Sequence, residues 1–275
     1  MPGARVGDLE VAYELGGSGP PVLLVAGTGY PGATWPPGFV ESLRPHFTVV
    51  TFDHRGTGRT RGTPDRYTTR LLAGDAAGLL GALDVGPTHV VGHSMGGRVA
   101  QWLALDAPDA VRSLVLVGTG AGPTDRAVHQ SRGLPVQTAV RLAELGYEDY
   151  VRDLQRRTFF TDDFAGSNPE AVAWLFEAFW EHRPPLEDYV KHVVARQEHD
   201  TVDRLAEIAV PALVVVGGLD THAGATGSHV EQSRFLAEHL PHAELCVVPG
   251  VKHGLFWEHP AETAELIGAW LRRQT

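Results

Sequence analysis

The sequence predicts an α/β fold, in which helices flank a mostly parallel β-sheet and a helical insertion lies in the second half of the chain. The first observation is that short, wholly apolar runs alternate with longer stretches of helical character. Such runs are typical of strands that are buried on both faces of a parallel sheet. The second observation is that this alternation stops between about residues 123 and 205, where no strand-like run is present.

The strands and helices follow from the spacing of the apolar residues. LEVAYEL alternates like a half-buried strand, and Gly16-Gly17-Ser18-Gly19 then predicts a turn. The later apolar runs predict the buried strands: Val22–Ala26, Thr48–Phe52, His89–Val91, Ser113–Val117, Pro211–Val216 and Glu244–Val248. Apolar residues three and four apart predict the helices, over 68–84, 95–107, 229–239 and 260–272.

The insertion contains helical patterns separated by prolines. VQTAVRLAEL, EDYVRDLQRRTFF and AVAWLFEAFWEH all have helical spacing, and Pro123, Pro135, Pro169 and Pro184-Pro185 punctuate them. We therefore expect a core domain formed by residues 1–122 and 206–275, and a helical cap over residues 123–205.

Composition excludes several classes of function. The 275 residues carry a formal net charge of −10, which argues against a nucleic-acid surface and gives no reason to expect binding to anionic membranes. One cysteine, Cys246, allows neither an intramolecular disulfide nor a Cys-rich zinc site. The N-terminus shows no secretory signal and the apolar runs are too short to span a membrane, so we expect a soluble, cytoplasmic protein.

The most specific motif is Gly92-His93-Ser94-Met95-Gly96, which fits G-x-S-x-G. It follows a predicted strand and precedes a predicted helix, which is the context that a nucleophile on a tight strand-to-helix turn requires. Gly92 and Gly96 lack the Cβ atoms that would obstruct such a turn. Ser94 is therefore the candidate nucleophile.

A serine hydroxyl needs a base, and a base needs a carboxylate. His253 follows the predicted strand ELCVV, and Asp220 follows LVVV, so both lie at the sheet edge where Ser94 is expected. The chain order Ser94, Asp220, His253 distinguishes this arrangement from the two common serine-protease folds. Asp203 and Glu231 are the alternative acids. Among the 14 histidines, a group is interpreted as surface residues: His129, His182, His192, His239 and His259.

Acyl transfer also needs donors for the oxyanion. One predicted donor is the backbone N–H of Met95, the residue after the nucleophile. The other is the backbone N–H of Thr28, in the loop Ala26-Gly27-Thr28-Gly29 after an early strand, and the Thr28 hydroxyl is a further candidate donor.

The same loop offers an alternative interpretation. Residues 27–32 read Gly-Thr-Gly-Tyr-Pro-Gly and match G-x-G-x-x-G, and Asp53 ends the next strand as a dinucleotide fingerprint asks. Such a site requires the loop to open directly into a helix, and Pro31, Pro36 and Pro37 interrupt that stretch. We therefore expect no nucleotide cofactor. P-loop and H-E-x-x-H patterns are also missing, and no metal site is predicted.

Taken together, the motifs VLLVAGTG, DHRGTGRT, VGHSMGG, VVVGGLD and GVKHG resemble the α/β-hydrolase superfamily over nearly the whole chain. The DHRGTGRT segment is similar to that of the esterase, enol-lactonase and C–C-hydrolase branches. The resemblance implies an eight-stranded sheet with its second strand antiparallel and a cap after the sixth strand. Many members have His-Gly at the oxyanion loop, where this chain has Ala26-Gly27. Dehalogenases and epoxide hydrolases of this fold carry Asp at the position of Ser94, so a carbonyl carbon is the expected electrophile.

We therefore expect a serine hydrolase whose partner is a small, largely apolar ester or lactone. Residues that could line the substrate pocket lie in the oxyanion loop and in the aromatic-rich insertion: Gly29, Tyr30, Trp35, Phe160, Trp174 and Phe179. The alternatives are a C–C bond hydrolase or a thioesterase with the same triad, and a non-catalytic ligand-binding protein on the same fold. The sequence does not give the oligomeric state.

Overall fold

The computed structural model describes residues 2–125, 133–221, 223–224 and 227–274. Its centre is an eight-stranded sheet with the strand order β1-β2-β4-β3-β5-β6-β7-β10, and a separate two-stranded ribbon pairs β8 with β9. The strand bounds are β1 Gly3–Val6, β2 Leu9–Gly17, β3 Pro21–Val25, β4 Thr48–Phe52, β5 Thr88–His93, β6 Val111–Val117, β7 Ala212–Gly217, β8 Ala223–Gly224, β9 Gly227–Ser228 and β10 Ala243–Val248.

The sheet is parallel except at one strand. β2 is antiparallel to both of its neighbours, β1 and β4, while every other pair in the large sheet is parallel. The expectation of an eight-stranded, mostly parallel sheet with an antiparallel second strand is thus confirmed. The sequence pattern missed β1, and β2 runs on through Gly16 and Gly17, where a turn was expected, because both residues pair with β4.

Helices cover both faces of the sheet. Their bounds are α1 Pro37–Leu43, α2 Thr69–Leu83, α3 Met95–Asp106, α4 Val136–Thr158, α5 Asp162–Ser167, α6 Pro169–Glu181, α7 Leu186–Gln197, α8 His229–His239, α9 Leu255–Glu258 and α10 Pro260–Arg272. Within the described residues, 3-10 turns span Gly32–Thr34, Pro108–Ala110 and Val202–Glu207. The four helices predicted for the core lie within one residue of the expected bounds. Among the described helices, none has the length and apolar character needed to cross a membrane.

Two apolar clusters lie on opposite faces of the sheet. Alternate residues of β3 separate into them: Val22 and Leu24 belong to one cluster, and Leu23 and Val25 to the other. The second cluster includes the buried faces of α2, α3 and α8. The first also takes in α1, α10 and the aromatic residues of α4–α7, so the helical insertion between β6 and β7 packs on the core through one continuous apolar cluster.

Candidate active site

Ser94 lies on the turn between β5 and α3, in a backbone conformation that side chains rarely adopt, with φ 55° and ψ −117°. The turn fits there because its flanking residues are glycines. A Cβ on Gly92 would lie 2.5 Å from the Gly96 carbonyl oxygen, and a Cβ on Gly96 would overlap the carbonyl of Val25. The Ser94 N–H donates to the Val117 carbonyl at 2.9 Å, so the strained turn is held by the neighbouring strand.

The loop after β3 lies against this turn. A Cβ on Gly27 would lie 3.4 Å from the Ser94 Cβ, which places the loop beside the serine. Thr28, the next residue, is buried, and its hydroxyl has no hydrogen-bond partner among the described residues. Met95 is the first residue of α3, so its backbone N–H is one of those in the first turn that have no acceptor within the helix. The two predicted oxyanion donors therefore lie on segments that meet at Ser94.

Asp220 and His253 are joined by a short hydrogen bond. The His253 Nδ1 donates to the Asp220 Oδ2 at 2.6 Å, and both side chains are buried. Their loops are tied together, since the Leu219 N–H donates to the Val251 carbonyl at 2.9 Å. Burial by itself raises the pKa of the Asp220 carboxyl. The charge of His253 and the hydrogen bonds that the carboxylate accepts outweigh burial, and they hold that pKa far below its usual range. Asp220 is therefore an anion that fixes the His253 ring.

A second imidazole binds the same carboxylate. The His229 Nδ1 lies 2.9 Å from the Asp220 Oδ1, and the His229 ring stacks on His253 with 4.5 Å between centroids. Burial and the charge of His253 lower the pKa of His229 to about 4, so it is neutral near pH 7. Sequence reasoning did not assign His229 a role. Its position at the start of α8, nine residues after Asp220, carries no distinctive motif.

Two further contacts relate His253 to the serine turn. The His93 ring lies 4.5 Å from the His253 ring, and the His93 Nε2 donates to the His253 carbonyl at 3.1 Å. Gly118 follows Val117, whose carbonyl accepts the Ser94 N–H. A Cβ on Gly118 would lie 3.0 Å from the His253 ring. Among the described residues, no hydrogen bond joins the half-buried Ser94 hydroxyl to His253. Such bonds are often long in enzymes without bound substrate.

Asp220, His229 and His253 are also the described residues that come nearest to a metal-binding set, with ligand atoms that lie within 4.8 Å of one another. Both carboxylate oxygens of Asp220 already accept hydrogen bonds from the two rings, 2.9 and 2.6 Å long. Atoms this close are hydrogen-bond partners, and a zinc ion with bonds of about 2.0–2.2 Å would have to separate them. The arrangement favours proton transfer.

The two alternative acids, Glu231 and Asp203, have other surroundings. Glu231 accepts the Ser228 N–H at 2.8 Å and completes the capping box of α8. Asp203 lies exposed in the 3-10 turn of Val202–Glu207. Neither acid is among the hydrogen-bond partners of His253, which leaves Asp220 as the carboxylate on the imidazole.

The five aromatic residues predicted to line a substrate pocket fall into two groups. Tyr30 and Phe179 lie near His253: Tyr30 packs 5.0 Å from Phe179 and 5.5 Å from Phe159, and Phe159 lies edge-on to His253 at 5.2 Å. The second group packs elsewhere in the same apolar cluster, with Trp35 on Phe39 and Phe256, Phe160 stacked on Phe164, and Trp174 partly buried against it. The remaining predicted residue, Gly29, faces α7, where a Cβ on Gly29 would lie 2.6 Å from the Tyr189 ring.

Tyr30 also carries an unusual polar group. Its hydroxyl is buried and makes no hydrogen bond of ordinary length and angle within the described chain, and the same holds for both amide atoms of the nearby Gln155. Burial raises the pKa of the Tyr30 phenol, and the nearby Gln155 side chain partly offsets that rise. A polar tyrosine–glutamine pair thus lies among the aromatic residues beside Phe159.

Asp53, which the dinucleotide interpretation required, accepts hydrogen bonds from the backbone of two loops. Its Oδ1 accepts the Gly32 N–H at 2.8 Å and its Oδ2 accepts the Arg59 N–H at 2.9 Å. The loop of residues 27–32 opens into a single 3-10 turn, Gly32–Thr34, where a pyrophosphate site would need a helix. The carboxylate is therefore occupied by the protein's own backbone.

The surface interpretation of His192 is wrong. Its side chain is fully buried on α7, with one ring nitrogen 3.2 Å from the Gly29 N–H nitrogen and the other 2.9 Å from the Arg55 carbonyl. The sequence carries no signal for this, since both partners are backbone groups more than a hundred residues away. His239 and His259 are exposed as expected, His182 is half-buried, and His129 lies outside the described residues.

Comparison with known proteins gives one consistent family. Residues 20–260 match the family model described as alpha/beta hydrolase fold. A candidate carbamate hydrolase from Azorhizobium caulinodans is 33% identical over 253 residues, 92% of this chain and 91% of that protein. A thermophilic esterase from Thermogutta terrifontis superposes with a TM-score of 0.83 at 27% identity, over 98% of this chain and 97% of that one. The enol-lactonase from Burkholderia xenovorans LB400 gives 0.84 at 26%, over 98% and 100%.

Proposed function

The chain belongs to the α/β-hydrolase fold family, and from that premise we propose that it is a serine hydrolase, which cleaves a carboxylic ester or lactone through an acyl-enzyme on Ser94. The observation that carries the proposal is the 2.6 Å contact between His253 and the Asp220 carboxylate, beside a serine on a glycine-flanked turn. Asp220 fixes the His253 tautomer, so that Nε2 carries the lone pair that a general base needs.

In the first half of the reaction, His253 takes the hydroxyl proton while the Ser94 oxygen attacks the carbonyl carbon. The negative charge that develops on the carbonyl oxygen is stabilised by the backbone N–H groups of Thr28 and Met95. His253 then protonates the leaving alkoxide, and the acyl group remains on Ser94.

In the second half, His253 removes a proton from water, and the resulting hydroxide attacks the acyl carbon. The same two N–H groups stabilise the second tetrahedral oxyanion. His253 returns its proton to the Ser94 oxygen, so the carboxylic acid leaves and the enzyme is restored. Asp220 stabilises the imidazolium in both halves and does not itself take the proton.

The substrate is proposed to be small and largely apolar, because aromatic side chains surround the catalytic histidine. Phe159 packs edge-on against His253, and Tyr30, Phe179 and Trp257 continue the aromatic wall from the oxyanion loop to the insertion. Residues 123–205 are proposed to act as a cap that provides part of this wall and shields the carbonyl from bulk water.

A carbamate is the second candidate substrate, favoured by the candidate carbamate hydrolase that is 33% identical over 92% of this chain. Carbamates and esters both offer a carbonyl carbon to the nucleophile, and they differ in the acyl side of that carbonyl, which carries nitrogen in a carbamate and carbon in an ester. Assays of matched p-nitrophenyl esters, lactones, carbamates and vinylogous diketones would separate these candidates from C–C hydrolysis, and acyl thioesters would test the thioesterase alternative. A non-catalytic binding protein should not react with a fluorophosphonate probe.

The direct test is to compare Ser94→Ala and His253→Gln with the unaltered protein in hydrolysis of p-nitrophenyl butyrate. Each variant should lose several orders of magnitude in kcat, because nucleophile and base act as a unit. His239→Gln is the matched control, since this histidine is exposed on α8. Full turnover by Ser94→Ala would remove Ser94 from the mechanism.

A further inference from the structure

The insertion places a buried imidazole between two active-site loops. The His192 Nδ1 accepts the Gly29 N–H at 3.2 Å, and its Nε2 donates to the Arg55 carbonyl at 2.9 Å. Gly29 belongs to the loop after β3, and Arg55 to the loop after β4. One side chain of α7 therefore bridges both loops at the sheet edge where Ser94 lies.

The two hydrogen bonds require one tautomer of His192. A carbonyl oxygen can only accept, so the proton is on Nε2 and the lone pair is on Nδ1. Burial lowers the pKa of His192 to about 4, which keeps the ring neutral at physiological pH. A protonated ring would place two N–H donors face to face at Gly29.

Gly29 has a backbone conformation that favours glycine, and α7 leaves no room for a side chain there. Its φ is 73°, and a Cβ there would lie 2.6 Å from the Tyr189 ring, one turn before His192. The Tyr30 N–H donates to the Gly27 carbonyl at 3.2 Å, which closes the loop around Thr28. The direction of the Thr28 N–H is therefore set by how Gly29 is held.

We infer that His192 is the positioning residue of the oxyanion hole, holding the Gly29 amide so that the Thr28 N–H faces the reacting carbonyl. The inference rests on the proposed function. It makes the catalytic geometry depend on the docking of the insertion, because α7 supplies the imidazole and the core supplies both loops.

Two isosteric variants separate the two hydrogen bonds. His192→Asn keeps an acceptor at the place of Nδ1, and His192→Gln keeps a donor at the place of Nε2. The glutamine variant should lose about 10²-fold in kcat on p-nitrophenyl butyrate, similar to the loss of one oxyanion donor, while KM changes little. The asparagine variant should recover most of that loss. Affinity for a trifluoromethyl ketone, which forms the tetrahedral adduct, should fall in parallel with kcat.

Three results bear on the inference. Equal kcat in His192→Gln, His192→Asn and the unaltered protein would overturn it, while Ser94-dependent hydrolysis would leave the proposed function standing. Absence of Ser94-dependent hydrolysis in the unaltered protein would overturn both. Should His192→Gln fail to fold, ¹⁵N NMR of the unaltered protein decides: an unprotonated Nδ1 at pH 7 supports the inference, and a protonated Nδ1 contradicts it.

Discussion

The imidazoles of His229 and His253 are stacked, with 4.5 Å between ring centroids and 18° between ring planes. Each ring donates to a different oxygen of the Asp220 carboxylate, at 2.9 and 2.6 Å. The carboxylate therefore has two partners, and one of them, His253, lies 4.5 Å from the His93 ring of the serine turn. Both hydrogen bonds stabilise the anionic form of Asp220, so the carboxylate stays charged when His253 becomes an imidazolium.

Because Asp220 binds both histidines, substitutions at Asp220 and at His229 should lower kcat by different amounts. Asp220→Asn should lower kcat by about 10⁴-fold, because the amide neither stabilises the imidazolium nor fixes the tautomer. His229→Gln should lower it less than about tenfold, because one hydrogen bond to the carboxylate is lost and the other remains. Steady-state kinetics on p-nitrophenyl butyrate measure both, with His239→Gln as control. Equal losses would show that His229 belongs to the proton relay.

The glycines of the serine turn predict a steric effect. Gly96→Ala should destabilise the protein by about 2 kcal/mol or more and lower kcat, because the added Cβ overlaps the Val25 carbonyl. Gly74→Ala is the matched control at an exposed position of α2, where the Cβ meets nothing within 4 Å. It should stabilise the protein by about 1 kcal/mol. Urea unfolding measures both, and a Gly96→Ala variant as stable and active as Gly74→Ala would contradict the turn geometry.

Two buried tyrosines differ in how their hydroxyls are satisfied. The Tyr67 hydroxyl donates to Asp188 at 2.8 Å, while the Tyr30 hydroxyl has no partner in the described chain. Tyr67→Phe should cost about 2 kcal/mol, because the Asp188 carboxylate loses one of its two donors and the Thr63 N–H loses its acceptor. Tyr30→Phe should raise stability by about 1 kcal/mol, because a buried hydroxyl without a partner is removed. Urea unfolding at pH 7 compares them. An equal loss in both variants would mean that the Tyr30 hydroxyl is hydrogen-bonded in solution.

Burial of neutral His192 predicts acid sensitivity. Its pKa in the folded protein is about 4, below the usual value of 6.5, so the unfolded chain binds its proton first as the pH falls. The stability that the neutral ring contributes is fully present above about pH 6.5 and is lost as the pH falls through 4.

His192→Asn removes this titration. Between pH 7 and pH 4.5, the free energy of unfolding should fall by about 2 kcal/mol less in the variant than in the unaltered protein. Urea titrations at the two pH values measure the difference. The same pH dependence in both proteins would show that His192 does not titrate between its folded and unfolded states.

The core fold could be predicted because its physical signals are local. Runs such as Val22–Ala26 are apolar throughout because their strands are buried on both faces, and Gly92 and Gly96 mark a turn where a Cβ cannot fit. The pairing of Gly16 and Gly17 with β4 was missed, because glycines signal a turn locally while the pairing is set by a strand 30 residues away.

The candidate site could be predicted to the extent that the fold places its residues at strand ends. Ser94, Asp220 and His253 each follow a strand, so topology alone brings them to one edge. His192 and His229 follow no such rule. Each is positioned by its partners in space, the Gly29 and Arg55 backbones for one and the Asp220 carboxylate for the other, and neither relationship leaves a pattern in the sequence.

The most direct measurement is mass spectrometry of the protein quenched with acid during turnover of p-nitrophenyl butyrate. The account predicts a butyryl adduct on the tryptic peptide Leu71–Arg98, whose only serine is Ser94, and no adduct in Ser94→Ala. Hydrolysis at an undiminished rate in Ser94→Ala, or an adduct on another peptide alone, would contradict it.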